Sequence, residues 1–504
     1  MDGSCYTCRR RRIQCDRSQI PCGKCEKAGI ECYDKRPLRW VKGVAIRGNL
    51  QGVSFEAGSG TVAKTSNSLM TRNGKLAECM LNGPAMTMQL VLEDPSMANL
   101  DGVSRYYLDY YNDRICKLFI VYDSDKNPFR SLIPLALNDG ILLKALLALA
   151  ACHKANTGRP FYHTEESNSL ESFNALRDTL AFKHQAIQGL SRTLQDAQVA
   201  KQDTTVASIF LLIFLDLLES GRDRWNVHLE GAKNLIALNN QPSESPAGIG
   251  PDPGRTVQDI RNFITRQIYL IETLGSTFVR PGLLSQVISP GQLWMMPQEN
   301  VEQSFLGCPE YILNAIQYLS QQRDIILSLN PVDVAGIDYH IQNLTTVLES
   351  IQNFDCYAWA STLPQPQSSS VRDTHHLGLL SQSYKTGALV YGRRVLDILT
   401  QDVISQDDLI SELINLIGAL KDDNALYKCV LWPIVMIGFE CQWQSQRDFV
   451  TGCLERFWTD TSCLNAINAA KVLQTYWQQG DTQEPFSSQW IFNIGCFGGD
   501  WLLI

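Results

Sequence analysis

The chain is 504 residues long, 44% hydrophobic and 19% charged, with Lys+Arg 44 against Asp+Glu 52, a net charge of −8 and a pI near 5.5. That apolar content excludes a wholly disordered chain, and the length exceeds what one ordinary core encloses. The acidic balance excludes a protein that meets nucleic acid over its whole surface, so a polyanion-binding function has to sit in a local basic segment.

Such a segment opens the chain. Residues 1 to 47 hold 12 Lys+Arg against 5 Asp+Glu, a net of +7, which leaves −15 for the remainder. Six cysteines lie within it, at Cys5, Cys8, Cys15, Cys22, Cys25 and Cys32, spaced C-x2-C-x6-C-x6-C-x2-C-x6-C. The array is a duplication: Cys5, Cys8 and Cys15 recur 17 residues later as Cys22, Cys25 and Cys32, with Ile13 and Ile30 at matching places. A structural zinc ion takes four ligands in a tetrahedron at roughly 2.3 Å. Two ions therefore need eight contacts, which six sulfurs supply only if two of them bridge. The symmetric choice makes Cys5 and Cys22 the bridges, Cys8 and Cys15 the remainder of one tetrahedron, and Cys25 and Cys32 the remainder of the other. A disulfide framework and a four-cysteine finger with two spare thiols are the competing readings. No apolar secretory segment precedes the array, which leads us to expect reduced thiols available for metal.

The two halves differ in charge. After Cys8 come Arg9, Arg10, Arg11 and Arg12, whereas Glu26, Lys27, Ala28 and Gly29 follow Cys25. Four consecutive arginines repel one another, and a polyanion partner explains them better than stability does, since guanidinium groups match guanine O6 and N7.

At every cysteine this segment resembles the fungal binuclear zinc-cluster (Zn2Cys6) transcription factors. The resemblance implies a small module of two short helices around two zinc ions, in a nuclear regulator of RNA polymerase II genes. It also implies that Arg11 and Arg12 approach the bases of a CGG-type triplet in the major groove, leaving Arg9 and Arg10 to phosphate or to packing on the cluster. Two departures are Gln14, where Lys or His is usual, and arginine at basic positions where Lys is common. Pro21 stands in the loop between the halves, as in the family, and would hold that loop in a fixed turn.

Lys35, Arg36, Arg39 and Lys42 follow with no acidic residue from 35 to 47, and are expected to track phosphates or to signal nuclear import. From 48 to about 98 the chain is rich in Gly, Ser, Asn and Thr and reads as a flexible tether without the heptads of a coiled coil. We thus divide the chain into a DNA-binding domain at 1–34, a basic then flexible linker at 35–98, and a helical regulatory domain at 99–504.

Helical patterns begin with Tyr106, Tyr107, Tyr110, Tyr111, Ile115, Leu118 and Phe119 on one face. Asp139 to Cys152 is apolar almost all round and reads as a buried helix. So does Asp203 to Glu219, with Asp203 as N-cap and Gly221 as stop. Cys429 to Phe439 contains Pro433 and is too short to span a bilayer. Further helices are expected within 301–329, 377–399 and 409–420, separated by Pro-rich loops at 239–258 and 361–373, in one body or two packed lobes. Trp432, Trp443, Trp458 and Trp477 are expected core anchors. His153 is read as a core-edge histidine and His228 as helix packing.

The segments 107–116, 127–130 and Leu217 to Ala232 resemble the fungal-specific transcription factor domain of the second type, which implies an all-α regulatory region. No nucleotide-binding, zinc-protease or serine-hydrolase motif occurs, so no enzyme is expected. The expected partners are double-stranded DNA, a second copy of the chain through residues 100–504, and transcription machinery or co-regulators, with no membrane. The alternatives are a DNA-tethered scaffold or repressor, and a regulator gated by a small-molecule effector.

Overall fold

The computed structural model describes residues 4–16, 19, 21–33, 97, 100–162, 169–222, 224–239, 255–284, 304–327, 329, 334–363, 371–402, 404–482, 490–493 and 499–504. They fall into two compact units divided between Gln89 and Leu90. Lys35, Arg36, Arg39 and Lys42, and nearly all of the expected linker, lie outside the described residues.

The first unit contains two short helices, α1 (Tyr6–Arg11) and α2 (Gly23–Lys27). The second is helical throughout, with no sheet among its described residues beyond one isolated bridge between Arg222 and Trp501. In chain order its main helices are α3 (Gly102–Tyr110), α4 (Pro128–Ala136), α5 (Gly140–Asn156), α6 (Leu170–Thr193), α7 (Asp203–Glu219), α8 (Trp225–Asn239) and α9 (Arg255–Ser276). There follow α10 (Glu310–Ile326), α11 (Val334–Asn353), α12 (Cys356–Thr362), α13 (Val371–Thr400), α14 (Asp407–Leu420), α15 (Leu431–Glu440), α16 (Gln444–Thr461) and α17 (Leu464–Thr482).

Two apolar helices organise the first half of this unit. Asp139 caps α5 by accepting the backbone N–H groups of Ile141 and Leu142 at 2.9 and 3.0 Å, satisfying donors the helix itself leaves unpaired. α5 then buries nearly every side chain from Leu142 to Asn156, because it is covered by α6 on one side and α7 on another. In the second half, the long α13 packs against α10, α11, α12, α14 and α15. Pro433 lies in the first turn of α15, where no intrahelical N–H is lost, so the helix tolerates it. The apolar residues of both halves form one continuous core from Tyr107 to Ile504 rather than two lobes.

Residues 499–504 close that core. Leu502 N–H donates to the Gly221 carbonyl at 2.7 Å, Trp225 Nε1 donates to the Asp500 carbonyl at 3.2 Å, and Arg280 pairs with the Asp500 carboxylate at 2.9 Å. Gly221 ends α7 with φ +67°, and a Cβ there would stand 2.8 Å from Asn465 and 2.9 Å from the Leu502 carbonyl oxygen. Only glycine meets both demands.

Two expectations are corrected. The N-cap of α7 is Gln202, and Asp203 lies inside the first turn, where Arg261 of α9 grips its carboxylate through Nε and Nη2 at 2.8 and 2.9 Å. Trp432, Trp458 and Trp477 are buried as expected, but Trp443 is 64% exposed, because it precedes α16 at the surface and serves as its cap.

His153 is buried near the end of α5, its Nδ1 2.8 Å from the Tyr110 hydroxyl. Burial holds this imidazole down at about 4. The unfolded chain takes up the proton first as pH falls, so stability present above roughly pH 6.5 is lost progressively towards pH 4, by about 3 kcal/mol. His153→Gln is expected to flatten that difference in urea titrations at pH 7.5 and 4.5. Tryptophan fluorescence reports chiefly on the helical unit, since residues 1–33 contain no Trp.

Candidate metal centre and nucleic-acid interface

The first unit repeats itself in three dimensions. Arg9 N–H bonds to the Cys5 carbonyl and Glu26 N–H to the Cys22 carbonyl, both at 3.0 Å; Ile13 and Ile30 donate to the carbonyls of Cys8 and Cys25, both at 3.2 Å. These pairs are related by the same 17-residue shift as the cysteines. Cys5 and Cys22 occupy the N-caps of α1 and α2, while Cys8 and Cys25 lie inside them. The halves are tied by the segment after α2: Thr7 Oγ1 donates to the Glu31 carbonyl at 2.8 Å, the Tyr33 N–H returns to Thr7 Oγ1 at 3.1 Å, and Tyr6 N–H donates to the Tyr33 carbonyl at 2.7 Å. No motif in the sequence marks Thr7 or Tyr33 for this role.

The sulfurs converge in two sets of four, Cys5, Cys8, Cys15 and Cys22, and Cys5, Cys22, Cys25 and Cys32, each within 4.8 Å. Cys5 and Cys22 belong to both. The separations Cys8 to Cys22, Cys5 to Cys22 and Cys5 to Cys25 are 3.6, 3.8 and 3.9 Å. A tetrahedron with zinc–sulfur bonds of roughly 2.3 Å has edges of about 3.8 Å, whereas a disulfide would need about 2.05 Å. The donor set therefore fits two zinc ions that share two thiolates, and neither competing reading explains six sulfurs at these distances.

Electrostatics separates the shared sulfurs from the others. Burial works to raise the Cys5 and Cys22 thiols, but backbone N–H groups at the starts of α1 and α2, with neighbouring thiols, bring both below the usual thiol range; the Cys8 N–H is 3.3 Å from Cys5 Sγ. Burial pushes the Cys8 thiol up and raises Cys25 to about 12. Metal that binds here displaces protons, and the bound ions replace any need for a conventional core.

On α1 the four guanidinium side chains of Arg9, Arg10, Arg11 and Arg12 are exposed, and none is in an ion pair with a described residue. Arg12 ends α1 in the left-handed region, at φ 54° and ψ 38°. Its counterpart in the second half is Gly29, at φ 62°. Where the duplicated geometry calls for glycine the first half thus keeps arginine, at a backbone cost of about 1–2 kcal/mol.

Other residues considered for chemistry are tied into the second unit. His228 Nδ1 is 2.8 Å from the Asp216 carboxylate, a polar contact beyond the helix packing expected for it. The described cysteines outside the first unit are buried, and none forms a disulfide with another described residue. No helix among the described residues is long and apolar enough to cross a membrane.

Comparison with known proteins agrees with this geometry. The family model for the fungal Zn(2)-Cys(6) binuclear cluster domain matches residues 3–40, and that for the fungal specific transcription factor domain matches residues 106–504. The chain is 25% identical over 425 residues to the acriflavine sensitivity control protein acr-2 of Neurospora crassa, covering 80% of this chain and 68% of that protein. It is 21% identical over 519 residues to the phomenoic acid biosynthesis cluster-specific transcriptional regulator of Leptosphaeria maculans, covering 96% and 89%. No solved structure matches. A thiol cluster arranged for two zinc ions, exposed arginines beside it and a helical domain matched from Tyr106 to Ile504 place the chain in the fungal Zn(2)-Cys(6) transcription factor family, as a zinc-containing, DNA-binding transcription regulator.

Proposed function

We propose that the chain is a nuclear, sequence-specific regulator of RNA polymerase II genes that reads CGG-type triplets, with Cys5 and Cys22 as the bridging zinc ligands. Arg11 and Arg12 contact bases, while Arg9, Arg10, Lys35, Arg36, Arg39 and Lys42 meet phosphates. Its domains are the cluster at 1–34, a linker at 35–98 and an effector region at 99–504 that pairs with a second copy, recruits co-regulators and performs no catalysis. The observation that supports this reading is the row of exposed guanidinium groups, none ion-paired with a described residue, on the helix that carries Cys8 and is capped by Cys5. Replacing Arg36 or Arg39 is expected to weaken every DNA sequence alike and to flatten the salt dependence by roughly 0.9 in log–log slope for each phosphate no longer neutralised. Titrations of a triplet site and a scrambled site at several salt concentrations check this; weakening confined to the triplet site would move those residues from phosphate to base contact.

A further inference from the structure

The helix α6 has two different faces. Its inner face buries Ala175, Thr179, Phe182, Lys183, Ala186 and Leu190 against the core. Gly189 lets α6 approach α5 so closely that a Cβ there would stand 2.8 Å from Ile141 Cγ1. Tyr107 donates a hydrogen bond to Asp178 at 3.1 Å, Lys154 pairs with Glu171 at 2.7 Å and Lys183 pairs with Glu219. The helix is thereby fixed in place, and so is whatever its outer face presents.

That outer face carries an apolar stripe flanked by exposed polar residues such as Arg177, His184 and Gln188. Phe173, Leu180, Ile187 and Leu194 recur every seven residues along it and are all exposed, Phe173 at 64% and Leu180 at 58%. Leu170, at 75%, and Leu176 widen the seam at its first end. A seven-residue recurrence drifts only about 20° round an α-helix per heptad, so gently coiled helices keep such a stripe against each other over several turns, which is the pattern of a helix–helix seam. The 24 residues of α6 span about 36 Å. These six side chains expose on the order of 600 Å² per chain, near the roughly 800 Å² that each partner contributes to a stable interface.

We propose that this seam is the surface through which two copies of the chain pair, with their α6 helices antiparallel about a twofold axis between Leu180 and Ile187. The proposal rests on the dimeric reading above and gives it a location. The heptad stripe itself is self-complementary: an axis midway between Leu180 and Ile187 sets Leu180 against Ile187 of the partner subunit and Phe173 against Leu194 of the partner subunit, so each of these four positions meets another apolar one. An isologous contact needs that property, and a surface evolved for an unrelated protein does not. The antiparallel arrangement also sets the two helix dipoles in opposition, which favours it. One zinc cluster presents a single short helix to about one triplet, so doubling the reader supplies affinity that one cluster lacks.

The test uses the full zinc-loaded chain. Sedimentation equilibrium is expected to give a dimer at micromolar concentration, and the double variant Leu180→Glu/Ile187→Glu is expected to raise its dissociation constant at least 100-fold while keeping the helical circular dichroism spectrum of the wild type, since both side chains face solvent in the single chain. The control Tyr339→Glu, exposed on α11, is expected to leave the dimer intact. A photo-crosslinking phenylalanine analogue placed at position 173 should join to the region around Leu194 of the partner subunit, and one at position 184 to the middle of the partner's α6. A dimer undisturbed by the double variant overturns this surface and leaves the dimeric reading standing. A monomeric wild-type chain overturns both. Crosslinks from 173 to the same position on the other copy reject the antiparallel pairing, because those positions would lie about 30 Å apart in it.

Discussion

Chelating zinc from the full chain will unfold the segment around Cys5 to Cys32 and abolish triplet-specific DNA binding, while the helical unit keeps its circular dichroism signal. The reason is the composition of the first unit's core. Among the described residues its buried apolar cluster consists of Cys5, Cys8, Cys22 and Cys25, with Cys15 and Cys32 partly buried against them, and contains no aliphatic or aromatic side chain. Ile13, Ile30 and Tyr33 are exposed. So few residues cannot bury enough surface to offset chain entropy, and metal binding must supply the folding energy, on the order of 10–16 kcal/mol in zinc-dependent peptides. In the second unit a continuous hydrocarbon core runs from Tyr107 to Ile504.

The shared position of Cys22 sharpens this expectation. Cys22 belongs to both four-sulfur sets and Cys32 to one. Cys22→Ala should therefore lose both ions, whereas Cys32→Ala should retain about one ion per chain with weakened affinity. Elemental analysis of dialysed full-length protein reads the stoichiometry directly: two ions for the wild type, fewer than one for Cys22→Ala and near one for Cys32→Ala. Equal losses in the two variants would remove Cys22 from the bridging position.

How much of this was readable in advance differs between the two units for physical reasons. Coordination chemistry fixes the number and geometry of thiolates around an ion, so the spacing of Cys5 to Cys32 carried the metal site, and the 17-residue repeat carried the pairing of Cys5 with Cys22. In α5, a run after Asp139 that is apolar apart from Lys144 left almost no face for solvent, which made a buried helix the consistent outcome. Asp203 was misplaced because an acidic residue at a helix start either caps it or sits in its first turn, and the partner that decides, Arg261, lies 58 residues away. Trp443 was misplaced because indole burial depends on what neighbouring elements cover. The seven-residue recurrence of α6 is present in the sequence, yet which of its faces remains open is decided by α5, α7 and Tyr107. Nothing in the run Arg9 to Arg12 distinguishes one arginine by backbone; the sign lay in its repeat mate, Gly29.

That distinction sets up the second large effect, a separation of DNA reading from folding. The double variant Arg11→Ala/Arg12→Gly should lose about 2–6 kcal/mol of affinity for a CGG-type site, because each bidentate base contact contributes about 1–3 kcal/mol, and should lose far less on a scrambled site. At position 12 the choice of replacement matters. Glycine adopts φ near +54° without strain, so Arg12→Gly should leave the zinc-loaded unit as stable as wild type or slightly more so, the relief of about 1–2 kcal/mol being partly offset by the greater freedom of glycine when unfolded. Arg12→Ala keeps the strain and should bind DNA just as poorly. Competition binding against triplet and scrambled duplexes, with zinc retention measured under increasing chelator on the same samples, separates the two quantities. Should Arg12→Gly weaken both duplexes equally, Arg12 contacts phosphate and the base contact passes to Arg11; should it release zinc more readily than wild type, the left-handed arginine is holding the cluster together and its strain is offset within the fold.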